Sequence, residues 1–306
     1  MAALPAPTEG VLLLDKPAGI TSTRALATAK RLLELRKAGH TGTLDPFATG
    51  LLPLVFGEAT KFSRFLLDAV KSYEATLRLG EETASADTET EVVHRRTVDV
   101  DSGKIDKVLL GFVGVQDQIP PMHSAVRVDG KRLYEHARAG VEVDRAARRI
   151  EILELDAIGR DGNDLDIRVT CTKGTYVRTL AQDIGRTLGC GAHLVSLRRT
   201  AIGSLSLLNA VNIGDLEANS LDWRRSRLLP TELLVSSLAR WDVRDEEAVR
   251  FVQGQELGEA PEEEGKEVAV FAPSGRLVGV GLRGPGGRLA PRRLMAVANP
   301  KSPDLA

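Results

Sequence analysis

Gly39-His40-Thr41-Gly42-Thr43-Leu44-Asp45-Pro46-Phe47-Ala48-Thr49-Gly50 sets one carboxylate among glycines and a proline, with neither helical nor strand periodicity to account for the run. Pro46 biases Asp45 toward extended backbone, while Gly39, Gly42 and Gly50 can take dihedrals closed to other residues. A short acidic side chain is therefore expected on a rigid bend, as in an active-site loop. An isolated Asp-Pro step only starts a turn, so the reading depends on what surrounds it.

Working outward, Val11 to Asp15 reads as a short buried strand. Thr21 or Ser22 can cap a helix that runs through Leu32, Leu33 and Leu35 to a stop at Gly39, so the loop is expected to begin where a helix ends. Lys61 to Ala69 has helical spacing, and Ser72 to Leu79 alternates with Tyr73, Ala75, Leu77 and Leu79 on one side. Gly80 to Asp106 is polar and acidic and reads as an irregular connection. Asp164 to Cys171 alternates as a half-buried strand, and a helix from about Tyr176 to Leu188 stops at Gly189 with Arg178 in its first turn. Long helices between non-contiguous strands indicate α+β rather than a repeating βαβ order.

Pro230 marks a boundary. Beyond it, Val268 to Phe271 and Leu277 to Gly281 flank Pro273-Ser274-Gly275 as a hairpin, with another strand from Leu289 and an acidic solvated loop over Glu256 to Glu267. The expected organisation is residues 1–236 as one large domain and 237–306 as a small β-rich one.

With 306 residues, 42% hydrophobic and 27% charged, the chain can bury a sizeable core and has ordinary globular composition. Its formal net charge of -1 means that any nucleic-acid surface must come from local clustering. The apolar run Val11 to Leu14 is too short for a signal or spanning helix, so a cytoplasmic protein without membrane contact is expected. Cys171 and Cys190 lack Cys-x-x-Cys spacing, and five scattered histidines lack ligand spacing, which indicates reduced core thiols and no metal. Gly279-Val280-Gly281-Leu282-Arg283-Gly284 fits G-x-G-x-x-G, but Pro285-Gly286-Gly287 follows where a helix would have to open, so no dinucleotide cofactor is implied.

The loop, preceded by Leu12-Leu13-Leu14-Asp15-Lys16-Pro17-Ala18-Gly19-Ile20-Thr21-Ser22, resembles the TruB family of tRNA pseudouridine-55 synthases. Similar blocks continue through Phe56-Gly57-Glu58-Ala59-Thr60-Lys61-Phe62, Lys71-Ser72-Tyr73, Gln118-Ile119-Pro120-Pro121-Met122 and Cys171-Thr172-Lys173-Gly174-Thr175-Tyr176-Val177-Arg178-Thr179. They extend to Gly189-Cys190-Gly191-Ala192-His193-Leu194, Leu197-Arg198-Arg199 and Leu289-Ala290-Pro291-Arg292-Arg293-Leu294, spanning most of the chain in the family's order. The resemblance implies a mixed, largely antiparallel central sheet flanked by helices, closed by a PUA-like RNA-binding domain. It also implies isomerisation of uridine 55 in the T arm of tRNA by base flipping, without cofactor or obligatory protein partner, by a monomer.

By the same resemblance Asp45 is the catalytic nucleophile, Arg178 its paired arginine and Tyr73 the tyrosine that stacks on uracil and moves a proton. An ionised carboxylate suits attack on an electron-poor sugar or pyrimidine. Burial pushes such a group toward neutrality, so a cation must offset it, and a planar guanidinium can grip it at two points. His40 matches the loop histidine that fills the space left by an extruded nucleotide, and Lys16 lies in the motif beside the pocket, both implied substrate contacts.

Residues 121–149 hold Arg127, Lys131, Arg132, Arg138, Arg145, Arg148 and Arg149 against Asp129, Glu135, Glu142 and Asp144. This segment resembles the family's mobile RNA-binding insertion, with a helix near Leu133 to Ala139, and Arg127, Lys131 and Arg132 are expected on phosphate. His123 stands where family members commonly carry tyrosine. A tRNA-binding folding chaperone and a related rRNA pseudouridine synthase are alternative readings of the same surface.

Overall fold

The alternation of Lys71–Leu79 becomes the strand through the middle of the main sheet, with Lys71, Tyr73, Ala75, Leu77 and Leu79 all buried. The protein is represented by a computed structural model that describes residues 7–124, 126–128 and 130–296; the side chains of Arg132, Tyr134, Ala137 and Arg138 lie outside that description.

Along the chain the strands are β1 (Gly10–Lys16), β2 (Ala38–His40), β3 (Thr49–Phe56), β4 (Lys71–Leu79), β5 (Glu81–Thr83), β6 (Val92–Arg95) and β7 (Gly114–Gln118). There follow β8 (Arg127–Val128), β9 (Lys131–Arg132), β10 (Arg148–Asp161), β11 (Asp164–Cys171), β12 (Ala192–Ile202) and β13 (Leu205–Ser206). A second sheet uses β14 (Ala239–Asp242), β15 (Leu257–Glu259), β16 (Glu267–Phe271), β17 (Leu277–Arg283) and β18 (Arg288–Leu294). The main sheet runs β1-β3-β12-β4-β11-β10-β7, antiparallel except where β12 meets β3, with β2 and β13 joined at its sides. The result is α+β, mixed and largely antiparallel.

Helices α1 (Ser22–Leu32), α2 (Arg64–Asp68), α3 (Ser102–Gly111), α4 (Leu133–Arg138) and α5 (Val177–Leu188) belong to this part of the chain. Ala25 and Ala29 of α1 and Leu180, Ala181 and Ile184 of α5 share one core with Leu12, Leu14, Leu52, Leu54 and Leu77 of the sheet. The alternate residues of β1 and β3, namely Val11, Leu13, Leu51 and Val55, face a second core completed by Ala269, Phe271, Leu277 and Val280 from the small sheet. That double coverage explains why both strands read as continuous apolar runs. Each fully buried leucine or phenylalanine contributes on the order of 1.5–3 kcal/mol, so the junction between the sheets is a hydrophobic one. Polar bonds flank it: Lys61 Nζ donates to the carbonyl of Leu294 at 2.9 Å, and the amide of Ala296 to Glu58 Oε2 at 2.9 Å.

Three expectations need correction. Helix α1 ends at Leu32, not Gly39; Arg224 and Arg225 donate to the carbonyls of Leu32 and Leu33 at 3.0 and 3.1 Å, and Glu34 turns the chain with φ 54°. The released segment then reaches the sheet, so His40 sits on β2 opposite Leu54 rather than in a loop after a helix. The connection from Gly80 is not irregular throughout, because β5 and β6 pair as a hairpin and α3 begins at Ser102 under an Asp101 cap. The acidic stretch after Glu256 contains β15, which pairs with β18. The G-x-G-x-x-G match runs along β17 to Gly284, and a three-residue 3-10 turn, Pro285–Gly287, leads directly into β18 where an α-helix would have to open. Among the described residues no helix is long and apolar enough to cross a membrane.

Candidate active site

The loop bearing Asp45 is fastened from the N-terminal motif. Ser22 Oγ donates to the carbonyl of Leu44 at 3.0 Å and accepts from its amide at 2.8 Å, fixing the residue before Asp45. The amide of Gly19 donates to the carbonyl of Pro46 at 2.8 Å, fixing the residue after it. Lys16 is fully buried, and its ammonium donates to the carbonyls of Pro17 and Ile20 at 2.8 Å and of Pro46 at 3.3 Å. Gly50 ends the loop at φ 101°, where a Cβ would lie 2.3 Å from the carbonyl oxygen of Arg199, so glycine is what allows β3 to meet β12.

Arg178 enters from the second position of α5, whose start is fixed by β7. Gln118 accepts from the amide of Tyr176 at 2.8 Å and donates to its carbonyl at 3.1 Å. The Arg178 side chain is 4% exposed. Its Nε meets Asp45 Oδ2 at 3.0 Å, Nη2 donates to the carbonyl of His123 at 2.8 Å, and Nη1 donates to the carbonyl of Ser85 at 3.3 Å. Nη1 also lies 3.4 Å from Asp87 Oδ2, near enough for charge pairing but without hydrogen-bond alignment. The expected two-point grip on Asp45 is therefore corrected: one nitrogen holds Asp45, and the others tie the guanidinium to three further groups. That dispersal fixes the plane of the guanidinium more firmly than a single bidentate pair.

Asp45, Tyr73, Ser124, Arg178 and Arg199 line one cavity of about 300 Å³. Tyr73 lies on β4, opposite Val169 of β11 and Arg199 of β12. Arg199 is 1% exposed; its Nε donates to the carbonyl of Leu51 at 2.7 Å and Nη2 to that of Gly42 at 3.2 Å. This second buried guanidinium joins the Asp45 loop to the strand next to Tyr73.

About 34% of the Asp45 side chain stays exposed, in the cavity lining, while the protein around it partly desolvates the carboxylate. Burial pushes the Asp45 pKa up, Arg178 pulls it down, Asp87 adds to the rise and Lys16 opposes it. Burial prevails over the cations, contrary to the expectation that Arg178 would set the balance. Burial likewise raises the Tyr73 phenol, with Arg199 opposing, so the hydroxyl stays protonated at neutral pH. Lys16 falls to about 8 through desolvation, with Asp45 opposing.

Asp45, Tyr73 and Arg178 thus come together. Lys16 does not line the cavity; expected as a substrate contact, it is spent on three carbonyls behind the loop. His40 is half-buried outside the cavity lining, its Nδ1 has no partner among the described residues, and burial followed by Arg199 lowers its pKa. Arg127 and Lys131 are exposed on the β8–β9 hairpin across Gly130, and the side chain of Arg132 lies outside the described residues. Sequence reasoning gave no role to Asp87, Arg199 or Ser124. Asp87 had one local signal, an Asp able to bond the amide two residues on, as its Oδ1 does with Glu89 at 2.9 Å.

Three family models cover the chain: TruB family pseudouridylate synthase (N terminal domain) over residues 30–177, tRNA pseudouridylate synthase B C-terminal domain over 178–236, and Pseudouridine synthase II TruB, C-terminal over 241–295. The chain is 50% identical over 291 residues to tRNA pseudouridine synthase B of Dechloromonas aromatica, covering 95% of this chain and 97% of that one. It is 51% identical to the protein of the same name from Ralstonia nicotianae, covering 94% of each. Among solved structures, a Cbf5-Nop10-Gar1 complex matches with TM-score 0.74 at 28% identity, covering 95% of this chain and 85% of that one. With this fold and these matches along nearly its whole length, the chain belongs to the TruB family of pseudouridine synthases.

Proposed function

We propose that this chain converts uridine 55 in the T arm of tRNA to pseudouridine, with Asp45 as nucleophile. Its relatives' name, tRNA pseudouridine synthase B, supports tRNA as the substrate. The observation that carries the chemistry is a carboxylate held by a buried guanidinium in the lining of a cavity that Tyr73 also lines.

The target nucleotide leaves the stack, at a cost of a few kcal/mol, and enters the cavity. His40, beside the loop, is suited to fill the vacated space. Asp45 attacks C1′ as the C1′–N1 bond breaks and its electrons pass to uracil. The base turns, C5 bonds to C1′ and displaces the carboxylate, the C5 proton is lost and N1 takes up one proton, so the product is an isomer of the substrate. Tyr73 offers its face for stacking, worth ~1–3 kcal/mol. Its raised pKa means that it relays a proton through a neutral hydroxyl instead of acting as phenoxide. Arg178 keeps Asp45 aligned throughout, and Arg127 and Lys131 meet phosphates.

The test is tritium release from tRNA labelled at C5 of its uridines. Stoichiometric release is expected, and replacing uridine 55 by cytidine should abolish it. Undiminished release from the cytidine-55 tRNA would remove this position from the reading.

A further inference from the structure

Ser124 lines the cavity, is 6% exposed, and has a hydroxyl with no hydrogen-bond partner among the described residues. Several other buried hydroxyls are paired, Ser22 with the backbone of Leu44, Thr83 with the carbonyl of Asp87 and Ser85 with Asp87 Oδ1, whereas Thr179 Oγ1, outside the cavity lining, shares the unpaired state among the described residues. An unpaired buried hydroxyl costs about 1–3 kcal/mol, and such groups are rare enough in folded proteins that each calls for a partner or a role.

Its position suggests the partner. The carbonyl of the preceding residue, His123, accepts from Arg178 Nη2 at 2.8 Å, while Nε of the same guanidinium holds Asp45 at 3.0 Å. Nε and Nη2 share one edge of that planar group, so the 123–124 peptide and the Asp45 carboxylate are neighbours on one side of the cavity. Serine has one side-chain torsion to its oxygen, and a change of rotamer swings the hydroxyl without moving the backbone.

We infer that the Ser124 hydroxyl binds the ribose of the target uridine through its 2′-hydroxyl. The inference rests on the reading that Asp45 works at C1′ of an extruded nucleotide: C2′ adjoins C1′, so a group beside Asp45 meets the 2′ substituent. A contact to the sugar also persists while the uracil turns, which a contact to the base would not. Both hydroxyls can donate and accept, and the 2′ group is what distinguishes RNA from DNA. Ser124 then contributes to the choice of RNA.

The test measures affinity for a T-arm stem-loop carrying uridine or 2′-deoxyuridine at the target, using the turnover-blocked full chain with Asp45→Asn, alone and combined with Ser124→Ala. Ser124→Ala should weaken binding of the uridine RNA about three- to tenfold and leave the deoxyuridine RNA unchanged. It should melt at or above the temperature of its parent, because it removes an unsatisfied group and no contact of the fold. Equal weakening for both RNAs, no weakening for either, or a lowered melting temperature would each overturn the assignment. Tritium release by the wild-type chain separates this outcome from the broader reading: release with no Ser124 effect sinks only the ribose contact, whereas absent release sinks the proposed reaction.

Discussion

The ammonium of Lys16 lies 3.3 Å from the carbonyl oxygen of Pro46, so a buried cation at the end of β1 grips the residue that follows Asp45. Lys16→Met removes that grip together with the bonds to Pro17 and Ile20. Turnover at neutral pH should fall about tenfold as alignment of the loop is lost. Burial lowers the lysine to about 8 when folded, from 10.5 as a free side chain. Between those values the unfolded chain holds the extra proton, so this group makes stability rise with pH across that window. Denaturant titrations at several pH values should show a shallower rise in the variant; identical slopes would contradict the buried position of Lys16.

Arg178→Lys should cost at least about 100-fold in kcat, which is about 2.7 kcal/mol of transition-state stabilisation. One ammonium cannot reach Asp45, Asp87 and the carbonyls of Ser85 and His123 together. Leaving Asp87 buried without its cation should also destabilise the chain by about 3–5 kcal/mol, readable by thermal or denaturant unfolding.

Asp87→Asn removes a negative charge that raises the Asp45 pKa. The acid limb of the pH–rate profile, expected above the ordinary carboxylate range because desolvation raises Asp45, should move to lower pH. RNA affinity should change little, since Asp87 is fully buried. An acid limb that stays in place would mean that Asp45 is not the titrating group.

Gly50→Ala should destabilise by about 2–4 kcal/mol, because a Cβ there runs into the backbone of Arg199 at an unfavourable φ. At Gly174, φ 84° but with nothing among the described residues within 4 Å of a Cβ, alanine should cost about 1–2 kcal/mol. Equal losses at the two sites, measured by unfolding, would argue against the close approach of β3 and β12.

Elements with strong local signals were legible in the sequence. The alternation of Tyr73, Ala75, Leu77 and Leu79, and the stop at Gly189 with φ 90°, correspond to β4 and the end of α5. The end of α1 was not, because its last carbonyls are bonded by Arg224 and Arg225 from far along the chain. At the site, Asp45, Tyr73 and Arg178 could be named because each stands in a distinctive block. The roles of Asp87 and Arg199 are set by tertiary approach: Asp87 reaches Arg178 through the turn after β5, and Arg199 reaches Gly42 across the sheet. Neither leaves a period or spacing in its own segment. Lys16 shows the converse case, a motif residue whose ammonium is directed to three backbone carbonyls that its own segment does not announce.

Asp45→Asn keeps the shape of the side chain while removing the negative charge beside Arg178. Tritium release from T-arm RNA labelled at C5 of the target uridine, compared between wild type and this variant at equal RNA occupancy, tests the nucleophile directly. The account requires release to vanish in Asp45→Asn while RNA binding persists. Release from the variant at a rate near that of the wild type would contradict it.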